Sequence, residues 1–150
     1  MADVPAKHDR IAWQEWIGVG AGIAAVVVSF LPWFRLAEPT AAELRAQGSE
    51  SWIPVWQGNF LAWFPTVLLL AVSVLLLWQR FGKPMQMLAS LWLTLAVLAL
   101  VMILLRWITL PTTITSGLGL YLGIVMAVGS GAAAFLAFRK RKQQQSPQAN

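Results

Sequence analysis

Hydrophobic and polar positions fall in long blocks along this chain rather than alternating at short period. Residues 17–34, 60–78, 85–105 and 107–138 contain no Asp, Glu, Lys, Arg or His. Each block is about as long as the roughly 20 apolar residues that a helix needs to cross a bilayer core. Backbone in hydrocarbon must satisfy its own N–H and C=O groups, and a helix does so internally. The pattern predicts an all-α fold, a four-helix transmembrane bundle with spans at 17–34, 60–78, 85–105 and 117–138. The remaining segments become an N-terminal segment 1–16, a long loop 35–59, a turn 79–84, a second turn 106–116 and a tail 139–150, basic first and then disordered.

Charge placement orients the spans. Lys7 and Arg10, Arg80 and Lys83, and Arg139, Lys140, Arg141 and Lys142 supply eight of the eleven Lys and Arg. Loops rich in Lys and Arg stay cytoplasmic, which predicts both termini inside and the loops 35–59 and 106–116 outside. The first block follows a positive flank, as a signal peptide would. Pro32, Trp33, Phe34 and Arg35 stand where a cleavage site needs small residues, so the block is expected to remain as the first span. Trp13, Trp16, Trp33, Trp63, Trp78 and Trp107 fall near span ends, where indole prefers the headgroup layer. Trp92 lies inside the third span. Pro32 and Pro65 predict kinks or helix ends.

The fourth span repeats small residues at intervals of four, with Gly119, Gly123, Ala127 and Gly131, and the first does so with Gly18 and Gly22. Such faces let another backbone approach closely. The expected arrangement packs the first span on the fourth through these grooves. If a groove instead faces lipid, it would receive a second copy or another membrane protein.

Composition narrows the chemistry. Charged residues make up only 11 % of the chain and there is no cysteine, which removes disulfides and thiolate ligands. The net charge of +5 is spread over turns and tail rather than gathered on a basic face, so nucleic acid is not an expected partner. Ion-coupled transport normally keeps an ionisable group in the membrane, and the spans hold none. Glu15 sits at the inner border and reads as an interfacial charge. His8, the single histidine, lies in the polar N-terminal segment. No catalytic residue, metal ligand or cofactor is expected.

The loop 35–59 is where a site has room. Thr40 and Glu43 match a capping box, predicting a short helix 41–47 closed by Gly48. Trp52 and Trp56 flank Pro54 and would share one side of an extended segment. They are read as lying in the outer headgroup layer, with contact to a lipid, glycan or partner as the functional alternative. Glu38, Glu43 and Glu50 show no accompanying nucleophile or metal ligand. Arg139 to Lys142 orient the last span and suit anionic lipid heads.

Phe30-Leu-Pro-Trp33 closing the first span, and Gly117-Leu-Gly-Leu-Tyr-Leu-Gly123 opening the fourth, resemble small four-span membrane proteins of actinobacteria whose function is unknown. The resemblance implies a multi-pass protein of the cell inner (plasma) membrane and assigns no site. The leading expectation is a non-enzymatic accessory or scaffold subunit that acts through helix–helix contacts. The alternative is a carrier or channel for a neutral or lipid-like solute, possibly homo-oligomeric.

Overall fold

Each apolar block contains a long helix or most of one. In the computed structural model, which describes residues 13–81 and 87–145, the chain runs α1 (Trp13–Val28), β1 (Phe34–Leu36), α2 (Thr40–Ala46), β2 (Trp52–Ile53), a 3-10 turn (Val55–Gln57), α3 (Phe60–Phe81), α4 (Leu88–Ile108), β3 (Ile114–Ser116) and α5 (Leu118–Gln145). The expectations for Lys7, His8, Arg10 and Lys83, and for residues 146–150, lie outside the described residues.

The chain is mostly helical, and α3, α4 and α5 contain stretches long and apolar enough to cross a membrane, as in a multi-pass membrane protein. α1 is equally apolar but has only 16 residues, about 24 Å at the usual rise. Helical hydrogen bonding outlasts it. The Ser29 N–H reaches the Ala25 carbonyl, and Phe30 and Leu31 bond to Val27 and Val28 in tighter 3-10 fashion. Pro32 has no N–H to continue the series. The block 17–34 thus holds a helix, its frayed end and the first residue of a strand. At the other extreme, α5 runs through Arg139–Lys142 to Gln145, past the end expected at residue 138.

The fold is not purely α-helical. A three-stranded antiparallel sheet of order β2-β1-β3 covers one end of the helices. Phe34 pairs with Ile53 on one side and Ser116 on the other, and Arg35 with Trp52 and Thr115. These strands have only two or three residues each, too short for periodicity to register. The end bearing the sheet is the cap end, and the end where α5 finishes is the tail end.

α1 packs on α3 and α5, and α4 packs on the same two, closing a ring of four helices. One core cluster lies towards the cap and includes Trp33, Phe34, Val55, Leu69 and Leu120. A second, around Val72, Leu76, Leu88, Trp92 and Ala134, lies towards the tail. α1 meets α3 at close quarters, since a Cβ on Gly22 would collide with the Leu69 carbonyl and the Ser73 side chain. Ser73 Oγ donates to the Val19 carbonyl at 3.0 Å, linking the two backbones.

Candidate functional site: the cap and its groove

The cap is organised by Trp33. Its indole is 3 % exposed, and Nε1–H donates at 2.8 Å to the Val28 carbonyl at the end of α1, which also accepts the Leu31 N–H. The ring rests on α5 against Gly119 and Gly123, where a Cβ at Gly123 would stand only 2.6 Å from the ring. Trp33 is therefore a core residue, not the headgroup anchor that its place in the sequence suggests. Backbone bonds complete the junction. Gly117 and Gly119 donate to the Trp33 and Pro32 carbonyls at 2.7 and 3.1 Å, satisfying N–H groups that the start of α5 would leave unmade. A side chain at Gly117 would strike the Pro32 carbonyl, so the strand-to-helix crossing requires glycine there.

The expectation that the glycine faces of α1 and α5 mate with one another needs correction. The two helices do pack together, but their notches are filled from elsewhere. Gly18 receives Trp92 and Leu76, Gly22 receives Ser73, and Gly119 and Gly123 receive Trp33. Ala127 is buried in the core, and Gly131 faces only Ala96 at ordinary contact distance. A stripe of small residues records that something bulky approaches; which element supplies it depends on tertiary structure.

α2 is held differently from the capping box read in Thr40 and Glu43. Pro39 occupies the cap position and no side chain caps there. Glu38 Oε2 instead accepts the Ala42 N–H at 2.9 Å, and the same carboxylate pairs with the exposed Arg45. At the far end Gly48 takes φ +73°, and Ser49 N–H returns to the Leu44 carbonyl at 2.9 Å, the left-handed closure that glycine favours.

Between α2 and the sheet lies an open groove lined by Arg35, Glu38, Arg45, Trp52 and Thr115, with Ala41 and Leu36 on its floor. The two loop tryptophans separate here. Trp52 lines the groove from β2. Trp56 follows Pro54 into the 3-10 turn, donates Nε1–H to Ser29 Oγ at 2.8 Å and tilts against Phe30. Pro54 thus places the two rings in different surroundings. Arg106, in the last turn of α4, lays its guanidinium 5.0 Å from the centroid of the buried Phe34 ring. Such cation–π contacts contribute about 0.5–2 kcal/mol.

The remaining residues singled out in the sequence are dispersed. Arg139, Lys140, Arg141 and Lys142 sit on the last turns of α5, where Arg139 and Lys142 lean over Phe135 and Phe138. Glu43 and Glu50 are exposed and do not line the groove with Glu38. Among the described residues no three His, Cys, Asp or Glu gather as metal ligands. The chain matches no family model, no curated protein and no solved structure.

Proposed function

We propose that this is a four-span membrane protein, both termini cytoplasmic, that acts without catalysis as an accessory subunit, using its extracytoplasmic cap as the contact surface. Membrane residence for α1 as well as the longer helices is supported by what it exposes. Ile23 and Val27 stand out on α1, as do Val74 on α3, Val101 on α4 and Val125 on α5. Such a girdle on every helix is unsuited to water and suited to lipid.

The observation that carries the contact reading is the division of surfaces. The glycine notches on α1 and α5 are occupied by the chain's own side chains, while the groove of Arg35, Glu38, Arg45 and Trp52 stands open on a rigid base. Its chemistry suits an extended segment of another membrane protein bearing a carboxylate for Arg35 and an apolar side chain for Trp52. The carrier alternative has less support. Ser29, Ser73 and Ser130 are buried and hydrogen-bonded within the bundle, so they do not converge on a pathway.

A photo-crosslinking amino acid at Trp52 or Thr115 tests this directly in native membranes. A discrete protein adduct from both positions, absent from Val125 and lost with Arg35→Glu, is expected. Adducts to lipid alone at all three positions would refute the contact role. The absence of native cysteine makes topology simple to check. A non-permeant maleimide should label Ser49→Cys but not Gln143→Cys in intact cells.

A further inference from the structure

At the cap end a cation is held without an anion. Arg106, in the last turn of α4, is half-buried, and its Nε has no hydrogen-bond acceptor among the described residues. It forms no ion pair with any of them; the ion pair found there joins Arg45 to Glu38. The Phe34 ring, its centroid 5.0 Å from the guanidinium carbon, compensates part of the charge but offers no lone pair to an N–H. A buried donor left unmade is destabilising. The stretches outside the described residues, 1–12, 82–86 and 146–150, join the helices at the tail end. Arg106 lies at the other end of α4, about 27 Å away at the helical rise.

The surroundings of Arg106 close on themselves. Ser116 stands directly opposite Phe34 across β1 and β3, so their side chains share one face of the sheet. Ser116 Oγ and the Tyr121 hydroxyl lie 2.8 Å apart. The Tyr121 ring in turn meets Trp107, next in sequence to Arg106, edge to face at 6.2 Å. One of the two hydroxyls donates to the other, which leaves one O–H free to give. The patch thus offers guanidinium N–H groups and a hydroxyl, and it contains no carboxylate. Leu105 and Ile108 on α4 and Leu118 on α5 are exposed, so these donors border the apolar girdle. We propose that the patch binds a phosphate ester, with Arg106 and the Ser116–Tyr121 hydroxyls on the phosphate oxygens and Trp107 along the organic part. A carboxylate accepts within its own plane, whereas tetrahedral phosphate oxygens reach donors on α4 and α5 at once. A phospholipid and free glycerol phosphate share this chemistry. The lipid source rests on the membrane reading above; recognition of the phosphate does not.

Native mass spectrometry of the full chain in detergent tests the assignment. The probes are phosphatidylglycerol and galactosyl diacylglycerol of matched acyl chains, with glycerol 3-phosphate as competitor. Arg106→Gln is expected to weaken retention of phosphatidylglycerol about tenfold, the effect of one charge-assisted hydrogen bond. Retention of the phosphate-free galactosyl lipid should not change. The same fall is expected in a chain that also carries Arg139→Gln and Lys140→Gln, which separates this site from the tail cations. Tyr121→Phe keeps the ring against Trp107 and should weaken phosphatidylglycerol roughly threefold, the smaller share of a neutral donor. Should Arg106→Gln fail to fold, Tyr121→Phe decides: a fall for phosphatidylglycerol alone supports the site, and no fall overturns it. Displacement by glycerol 3-phosphate identifies the soluble ester as sufficient, and persistence of the lipid in its presence identifies the bilayer as the source. A photo-crosslinking amino acid at the exposed Ile108 is expected to capture lipid in native membranes. Retention of phosphatidylglycerol that neither substitution changes, or an equal fall for the galactosyl lipid, overturns the proposal. So does a discrete protein adduct at Ile108 that is lost with Arg106→Gln, which would assign the cation to a partner's carboxylate.

Discussion

Seating Trp33 on α5 predicts a specific pattern of coupling between two residues far apart in sequence. Trp33→Ala removes an indole that is 3 % exposed and the hydrogen bond that Nε1 gives to the Val28 carbonyl at 2.8 Å. Burial and cavity terms for such a truncation are about 3–5 kcal/mol, with about 1 kcal/mol for the hydrogen bond. If the helices cross a bilayer as proposed, packing rather than water exclusion holds them together there, and the lower figure of about 3 kcal/mol is expected. Gly123→Leu places a side chain where the ring already lies, with the Cβ alone 2.6 Å from Cη2. Overpacking of this kind costs about 1–3 kcal/mol. In the Trp33→Ala background the obstruction is gone and the leucine fills part of the vacated notch. Gly123→Leu should then be neutral or stabilising, giving a coupling energy of about 1–3 kcal/mol. Unfolding by rising SDS in mixed micelles, followed by far-UV circular dichroism, measures all four proteins of the cycle. Costs that add to within about 0.5 kcal/mol would show that the ring and the glycine notch do not meet.

Further substitutions separate close approach from mere flexibility. Gly22→Ala should destabilise the protein by roughly 2 kcal/mol or more, whereas Gly20→Ala, with nothing within 4 Å of its Cβ, should be neutral or slightly stabilising in the same unfolding assay. Ser130→Ala leaves the buried Trp92 N–H without its partner, with an expected loss of about 1–3 kcal/mol. Ser90→Ala, where an exposed hydroxyl bonds its own helix, should change stability by less than about 0.5 kcal/mol. Removing the exposed Glu38–Arg45 pair through Arg45→Gln should alter stability by under about 1 kcal/mol, and melting curves at low and high salt should converge.

The long helices were legible because charge-free blocks are a property of sequence alone. The stretch 60–78 begins with α3, which runs on to Phe81, and the stretch 85–105 matches α4, Leu88–Ile108, offset by a few residues at both ends. The cap was not legible. Its strands are too short to show a period, and β1 begins on the last residue of a block that hydropathy assigns to a span. Trp33 illustrates why position near a span end is ambiguous: the same indole suits the headgroup layer and a glycine notch, and only the three-dimensional arrangement of α5 decides. Glu38 took the capping role read in Thr40 and Glu43, because Pro39 sets the entry into α2 and the preceding carboxylate reaches the Ala42 N–H.

The pairing of β1 with β3 has a bearing on how the protein is made. Thr115 Oγ1 donates to the carbonyl of Arg35, 80 residues earlier, and β1 sits between β2 and β3 in the sheet. During synthesis the central strand leaves the ribosome long before its second neighbour exists. One of its flanks must stay open until α4 has been made and the chain has turned back. Closure of the lid is consequently a late checkpoint of biogenesis, and a nascent chain halted before residue 114 would present an unpaired edge to the quality-control machinery.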